Sequence, residues 1–272
     1  MTRMKHLCSA LALSATALTT SHAALAAYWN FEEGSGTTTT DSVSNTASDP
    51  FEPGVAFSAN TAAPTSTSST SFDGTGRFGV NLNADAVGIS GTGAKTIVAW
   101  INTTESDKRY FWGWSPTNGL QPGQDLRFGI ELDGKLRFEI SSGFVRYDDL
   151  SLNDGNWHMV AAIINAGDTA GDIDFYIDGD IVTPTGGNTT LVNTAGTGTG
   201  DSATPNEMFF GSSGNTNTQY WNGGIDDFAI YDTALTDAQL DDIRLNGITV
   251  PEPSSAALLG LGGISLILRR RK

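Results

Sequence analysis

The sequence predicts an all-β protein: a sandwich of two antiparallel sheets closed by one short C-terminal helix. Three observations predict it. From Trp157 to Ile164 the residues alternate, with Trp157, Met159, Ala161 and Ile163 on one face and His158, Val160, Ala162 and Ile164 on the other. Both faces are nearly free of polar groups, so this strand belongs inside a sandwich and not at a wet edge. Shorter alternating segments recur along the chain, punctuated by Gly, Asp and Asn. The composition agrees: 32 glycines in 272 residues, abundant Ser and Thr and few Lys suit short strands joined by polar turns.

Residues 1–26 read as an export signal. Arg3 and Lys5 form a charged start, and Leu7 to Leu18 is an apolar run too short to span a bilayer comfortably. Small residues suited to cleavage follow at Ser21-His22-Ala23 or at Ala24-Leu25-Ala26. The single cysteine, Cys8, lies in this segment, before the apolar run and without a lipoprotein pattern. The mature chain is therefore expected to have no lipid, disulfide or thiol chemistry.

Residues 27–249 are expected to make one domain. Trp29 and Phe31 open it on a strand facing the core. Ser58 to Ser71 is polar and reads as a flexible loop, and the strand pattern resumes at Ser71 to Gly74. In the strand from Lys95 to Ile101, Ile97, Ala99 and Ile101 share one face, and Val98 and Trp100 the other. Arg109 to Trp114 is short and aromatic. A hairpin follows around Asp133-Gly134, matching Phe128 and Ile130 with Leu136, Phe138 and Ile140. After the central strand, Ile173, Phe175 and Ile177 alternate with Asp172, Asp174 and Tyr176, a half-buried pattern ended by Asp178-Gly179. Thr183 to Asn206 reads as a long loop, and Glu207 to Gly211 and Ile225 to Tyr231 as the last strands. The helix has its own signals: Thr236 as N-cap, Gln239 completing a capping box, Leu235 and Leu240 as a staple, and Gly247 as the stop.

Residues 250–272 form a separate tail. Pro251-Glu252-Pro253 blocks helix continuation from the domain. Ala256 to Leu268 is apolar apart from Ser265, and Arg269, Arg270, Arg271 and Lys272 end the chain. As a helix this run would reach roughly 20 Å, short of the roughly 30 Å hydrocarbon core. It suits transient insertion with its basic end held in the cytoplasm.

Two family resemblances follow from these motifs. DGNWHMVAAIIN followed by IDFYIDGDIV, the opening AAYWNFEEGSGTTTTDSVSN, the KTIVAWI strand and YWNGGIDDFAIYDTALTDAQLDDI together resemble laminin-G-like domains of the concanavalin A-like lectin/glucanase superfamily. That resemblance implies a jelly-roll arrangement of the two sheets. The tail resembles the PEP-CTERM sorting signal of Gram-negative bacteria. It implies an exosortase-like processing partner and display at the cell surface, the outer membrane or the extracellular matrix.

Charge limits the partners. The formal net charge is −15, but between Ala27 and Val250 there are 9 basic and 29 acidic residues, a net of −20. Such a body does not suit nucleic acid, whose phosphates need basic patches. The fold's glycoside hydrolases set two or three acids on one strand face, and no stretch here repeats that spacing: Glu131 and Asp133 end in a turn, as do Asp172, Asp174 and Asp178. His158, beside Trp157, belongs to the fold in the resembling family, so no catalytic residue is expected. Glycan binding needs aromatic platforms, for which Trp112, Trp114, Tyr220 and Trp221 are the candidates. Calcium is a possible cofactor, since related domains hold it; Asp226 or Asp227 with Asp73, Glu33 or Asp41 could supply carboxylate ligands. The expected function is an exported, non-catalytic module binding glycan or matrix. The alternatives are a structural matrix component without a specific ligand and a divergent glycoside-active enzyme.

Overall fold

Alternation of apolar residues on two faces produces two stacked antiparallel sheets. The computed structural model describes residues 24–115, 121–196, 208–214 and 218–250. The expected signal segment up to residue 23 and the tail from Pro251 lie outside the described residues. The strands in chain order are β1 (Leu25–Trp29), β2 (Val55–Ser58), β3 (Ser69–Asp73), β4 (Phe78–Val80), β5 (Lys95–Asn102), β6 (Arg109–Trp114), β7 (Leu126–Ile130), β8 (Lys135–Ile140), β9 (Gly143–Ser151), β10 (Trp157–Ile164), β11 (Asp174–Ile177), β12 (Asp180–Val182), β13 (Gly186–Gly187), β14 (Met208–Phe210) and β15 (Asn222–Tyr231), followed by helix α1 (Asp237–Asn246). An eight-stranded sheet runs β12-β11-β10-β5-β15-β3-β2, with β1 also paired to β15; a seven-stranded sheet runs β13-β9-β8-β7-β6-β14-β4.

The core between the sheets takes the residues that alternation assigned to one side. Ile97, Ala99 and Ile101 of β5, Val160, Ala162 and Ile164 of β10, and Phe175 and Ile177 of β11 meet Phe128, Phe138 and Val145 of the opposite sheet. Trp29 and Phe31 are fully buried in this core. The other sides of β5 and β10, with Val98, Met159, Ala161 and Ile163, are also buried, because α1 lays Leu240 and Ile243 across them. Gln239 accepts the Thr236 N–H at 2.9 Å, completing the capping box, and Gly247 at φ +82° ends the helix. The helix also changes the environment of β11. Tyr176 is fully buried and donates to Asp241 at 2.7 Å, so β11 is covered on both faces and not half exposed.

Three sequence expectations are modified. The polar stretch from Ser58 to Ser71 is largely structured: β2 and β3 pair at its ends, and side-chain carboxylates hold the turn between them. The described part of the long loop after Val182 is likewise tied down, with β13 on β9 and bridges from Leu191 to Thr169 and from Thr194 to Gly91. Finally, β1 begins at Leu25 and pairs with the end of β15 from Leu25–Tyr231 onward. A cut between residues 26 and 27 would remove two residues of that strand, whereas a cut after Ala23 leaves it whole.

Candidate functional site

One row of cross-strand neighbours builds a cleft on the outer face of the eight-stranded sheet. Trp157 on β10 sits opposite Asn102 on β5, which sits opposite Gly224 on β15, which sits opposite Ser71 on β3. Their sequence neighbours Ile101, Ile225 and Phe72 point into the core, so the pleat turns this row outward. Beside it a cleft of about 150 Å³ opens, walled by Ser58, Asn60, Ser69 and Asn222.

Gly224 sets the floor. A Cβ there would clash with the Trp157 ring and stand 2.8 Å from its Cζ2, so only glycine lets the indole lie against the sheet. Trp157 is half-buried, and its Nε1 donates to Asn60 Oδ1 at 3.1 Å. Each amide is anchored at one end. Asn102 Nδ2 donates to the Gly155 carbonyl, and Asn222 Nδ2 donates to Glu105 Oε1 at 2.9 Å. Asn60, Asn102 and Asn222 all line the cleft, and each carries one further amide group beyond the bond that anchors it.

The Asn60 wall is braced from below by acids. Asp226 accepts the Ala62 N–H at 3.3 Å, the Ala63 N–H at 3.4 Å and the Ser66 hydroxyl at 3.1 Å. Glu32 accepts the Thr67 N–H at 2.8 Å and the Ser66 hydroxyl at 2.8 Å. Simple alternation would send Asp226 and Asp227 to opposite faces, but a β-bulge intervenes. Asp226 pairs with Trp100 and Ala229 with Val98, so two residues of β15 oppose the single Ala99. Asp227 adopts φ +44°, and its carboxylate accepts the hydroxyl of Tyr28, a residue of the outer-face cluster. Both carboxylates thus lie on the outer face, buried, and among the described residues neither forms an ion pair with a cation. Burial raises Asp226 to about 6 against the hydrogen bonds from Ala62, Ser66 and Ala63. Burial likewise raises Asp227 to about 7; the Tyr28 hydrogen bond opposes the shift and the Asp226 charge adds to it.

The residues singled out from sequence are placed differently. Trp112, Trp114 and Trp221 are fully buried in the core, because the inner face of β6 and the turn into β15 point them between the sheets. Buried there, they offer no platform to a sugar, and Tyr220 is half-buried next to Trp221. Trp157, which sequence reasoning left to the fold, is the aromatic of the cleft. The five metal candidates do not converge. Glu33 accepts from Thr39 and Thr40, Asp41 from the N–H groups of Tyr28, Val43 and Ser44, and Asp73 from Thr75. Among the described residues no three His, Cys, Asp or Glu side chains gather as metal ligands, and these five do not fit a shared calcium site. His158 lies between Asp178 and Asp154, with no hydroxyl nucleophile bonded to it.

Comparison with known proteins places the fold. The chain belongs to the concanavalin A-like lectin/glucanases superfamily, whose laminin-G-like family model matches residues 73–241. Residues 249–272 match the PEP-CTERM protein-sorting motif, which marks an exported protein sorted to the cell envelope with an exosortase-type processing partner. No curated protein sequence matches the chain. Among solved structures, domain 4 of a GH43 extracellular arabinanase from Geobacillus stearothermophilus, in complex with arabinotriose, is similar at TM-score 0.57 and 16% identity, over 82% of this chain and 98% of that one. The binding domain of Paraclostridial Mosquitocidal Protein 1 is similar at TM-score 0.55 and 16% identity, over 80% of this chain and 51% of that one. A Trypanosoma rangeli sialidase in complex with 2,3-difluorosialic acid is similar at TM-score 0.51 and 13% identity, over 81% of this chain but 33% of that one. At these identities the likeness is one of fold. Among the described residues no helix is long and apolar enough to cross a membrane.

Proposed function

We propose that the protein is a non-catalytic glycan-binding module, displayed at the surface or in the exopolysaccharide of a Gram-negative cell. The observation that carries this reading is the chemistry of the cleft: one half-buried indole beside three side-chain amides and three serine hydroxyls, with no titratable side chain in the lining. An indole face suits the C–H side of a sugar ring, and fixed amides suit its hydroxyls. Glycoside hydrolysis needs two carboxyl groups flanking the bond, and this cleft offers none. At about 150 Å³ it is smaller than the roughly 300–1,000 Å³ pockets that enclose drug-sized ligands, which suits one ring of a longer chain. The arabinanase domain that carries arabinotriose has the same sandwich fold, which agrees with a sugar ligand.

A glycan array probed with the full-length protein in mild detergent tests the reading. Binding to at least one polysaccharide is expected, reduced about tenfold or more by Trp157→Ala, with base–ring stacking magnitudes as a guide. Asn102→Ala removes one amide of the lining together with its bond to the Gly155 carbonyl, so it should weaken binding at a stability cost of only about 1 kcal/mol. Retention of full affinity by both variants would move the site elsewhere. An empty array would favour a structural matrix component. Hydrolysis of a bound polymer would favour an enzyme.

A further inference from the structure

We infer that the cleft selects uncharged sugar rings and rejects uronates and other acidic glycans; this rests on the glycan-binding reading above. The lining itself carries no charge, but the shell around it is acidic. Asn222 is held by Glu105 at 2.9 Å and stands opposite Asp73 across the β3–β15 pair. Asp226 lies in the neighbouring row of the same face and fastens the Asn60 wall, and Glu32 fastens it from the other side. Asp154 closes the turn that leads into Trp157 and accepts from Asn156 at 2.8 Å.

Among the described residues no cation lines the cleft, and several are engaged with other partners. Arg109 pairs with Glu105, the residue that holds Asn222, at 3.7 Å and with Asp107 at 3.3 Å. His158 is held between Asp178 and Asp154. Lys108, Arg127 and Arg137 gather around Glu139 on the outer face of the other sheet. Lys95 is fully buried, donating to the Gly91 carbonyl and the Thr194 hydroxyl. Carboxylate recognition ordinarily relies on an arginine fork or a lysine aimed at the ligand, and neither lines this cleft. A sugar carboxylate entering here would meet like charges in a body of net −20 between Ala27 and Val250. A cleft surrounded by one sign of charge concentrates that repulsion.

The test compares polymers that differ only in charge. Soluble neutral glucan, galactan and mannan are each run beside the same polymer oxidised at C6 to the uronate, in affinity gels with the full-length protein. The expected result is that a neutral polymer retards the protein, and that its uronate form binds about tenfold more weakly or worse at low salt. The gap should narrow as salt rises toward 1 M, where the screening length falls to roughly 3 Å. Paired Glu105→Gln and Asp73→Asn substitutions should narrow it at low salt. A uronate polymer bound as well as its neutral parent, and released by Trp157→Ala, would overturn the selectivity while leaving the glycan site standing. Failure of every polymer, neutral and acidic, would overturn both.

Discussion

The outer faces of the two sheets handle buried carboxylates in opposite ways. On the seven-stranded sheet, Glu139 sits under four donors. It accepts from Lys108 at 2.8 Å, Tyr110 at 2.5 Å, Arg127 at 2.8 Å and Arg137 at 2.8 Å. Burial pushes this carboxyl up, but the hydrogen bonds from Lys108 and Tyr110 and the Arg137 charge outweigh it, leaving it lowered to about 2. The Arg137 guanidinium also stacks 4.2 Å from the Phe144 ring, so the face is covered by its own charged side chains. On the eight-stranded sheet, Asp226 and Asp227 are covered by a helix and a loop and meet only neutral donors. Desolvation then prevails, and both are raised. A carboxylate among cations keeps its charge far into acid; a carboxylate among amides and hydroxyls takes up a proton nearer neutrality.

The largest effect should come from the cation-rich face. Glu139→Gln leaves Lys108, Arg127 and Arg137 without their shared counter-charge, and should cost about 2–4 kcal/mol at pH 7. The pH sign follows from the lowered value. The stabilisation is present above the ordinary carboxylate range and is lost as pH falls toward about 2. Urea unfolding between pH 7 and pH 3 measures it: the gap between wild type and variant should shrink in acid. An equal gap at both pH values would mean that Glu139 acts through packing and not through charge.

On the other face the sign reverses. Because Asp227 is raised to about 7, its contribution is fully present below the unfolded value near 4 and is lost as pH rises through about 7. Asp227→Asn keeps an oxygen to accept from Tyr28, tolerates φ +44°, and removes the charge. The variant should match wild type below about pH 4 and exceed it at pH 8.5 by roughly 1–3 kcal/mol. A variant less stable than wild type at pH 8.5 would show that the ionised carboxylate is favourable where it lies, and would erase the contrast between the faces.

Much of this architecture was legible in the sequence, because it depends on local periodicity. The alternation of β5 and β10, the Asp133-Gly134 and Asp178-Gly179 turns, and the Thr236 cap each need only a few consecutive residues. The cleft was not legible, because it depends on register between distant strands. Trp157, Asn102, Gly224 and Ser71 become neighbours only through three separate pairings. The one local cue was Gly223-Gly224 inside an otherwise apolar strand, a mark of close approach by another group. The bulge at Asp227 inverts a side chain that simple period-2 counting sends to the other face. The aromatic run of β6 was offered as a platform, but Trp112 and Trp114 carry no sequence mark of which sheet face is inner. Strand β9 was missed because its GFVRYDDLS sequence lacks clean alternation.

The smallest expected effect belongs to His158, which tests whether a cation can share the eight-stranded sheet with its acids. Its Nδ1 lies 2.6 Å from Asp178 Oδ2 and its Nε2 3.1 Å from Asp154 Oδ1. The hydrogen bond to Asp178 raises the imidazole above its ordinary value; burial opposes this, and Asp154 adds to the rise. The associated stability is therefore fully present below the unfolded histidine value near 6.5 and is lost as pH rises through the folded value. Exposure of the two aspartates beside the start of β10 limits the pair to less than about 1 kcal/mol. Asp178→Asn should lower the imidazole more than Asp154→Asn, because Asp178 makes the shorter contact. The substitution still leaves an oxygen to accept the Met159 N–H, now made at 2.8 Å. A proton NMR titration of His158, assigned by comparison with His158→Gln, reads both shifts directly. If both asparagine variants titrate like wild type, the two aspartates do not hold the imidazolium.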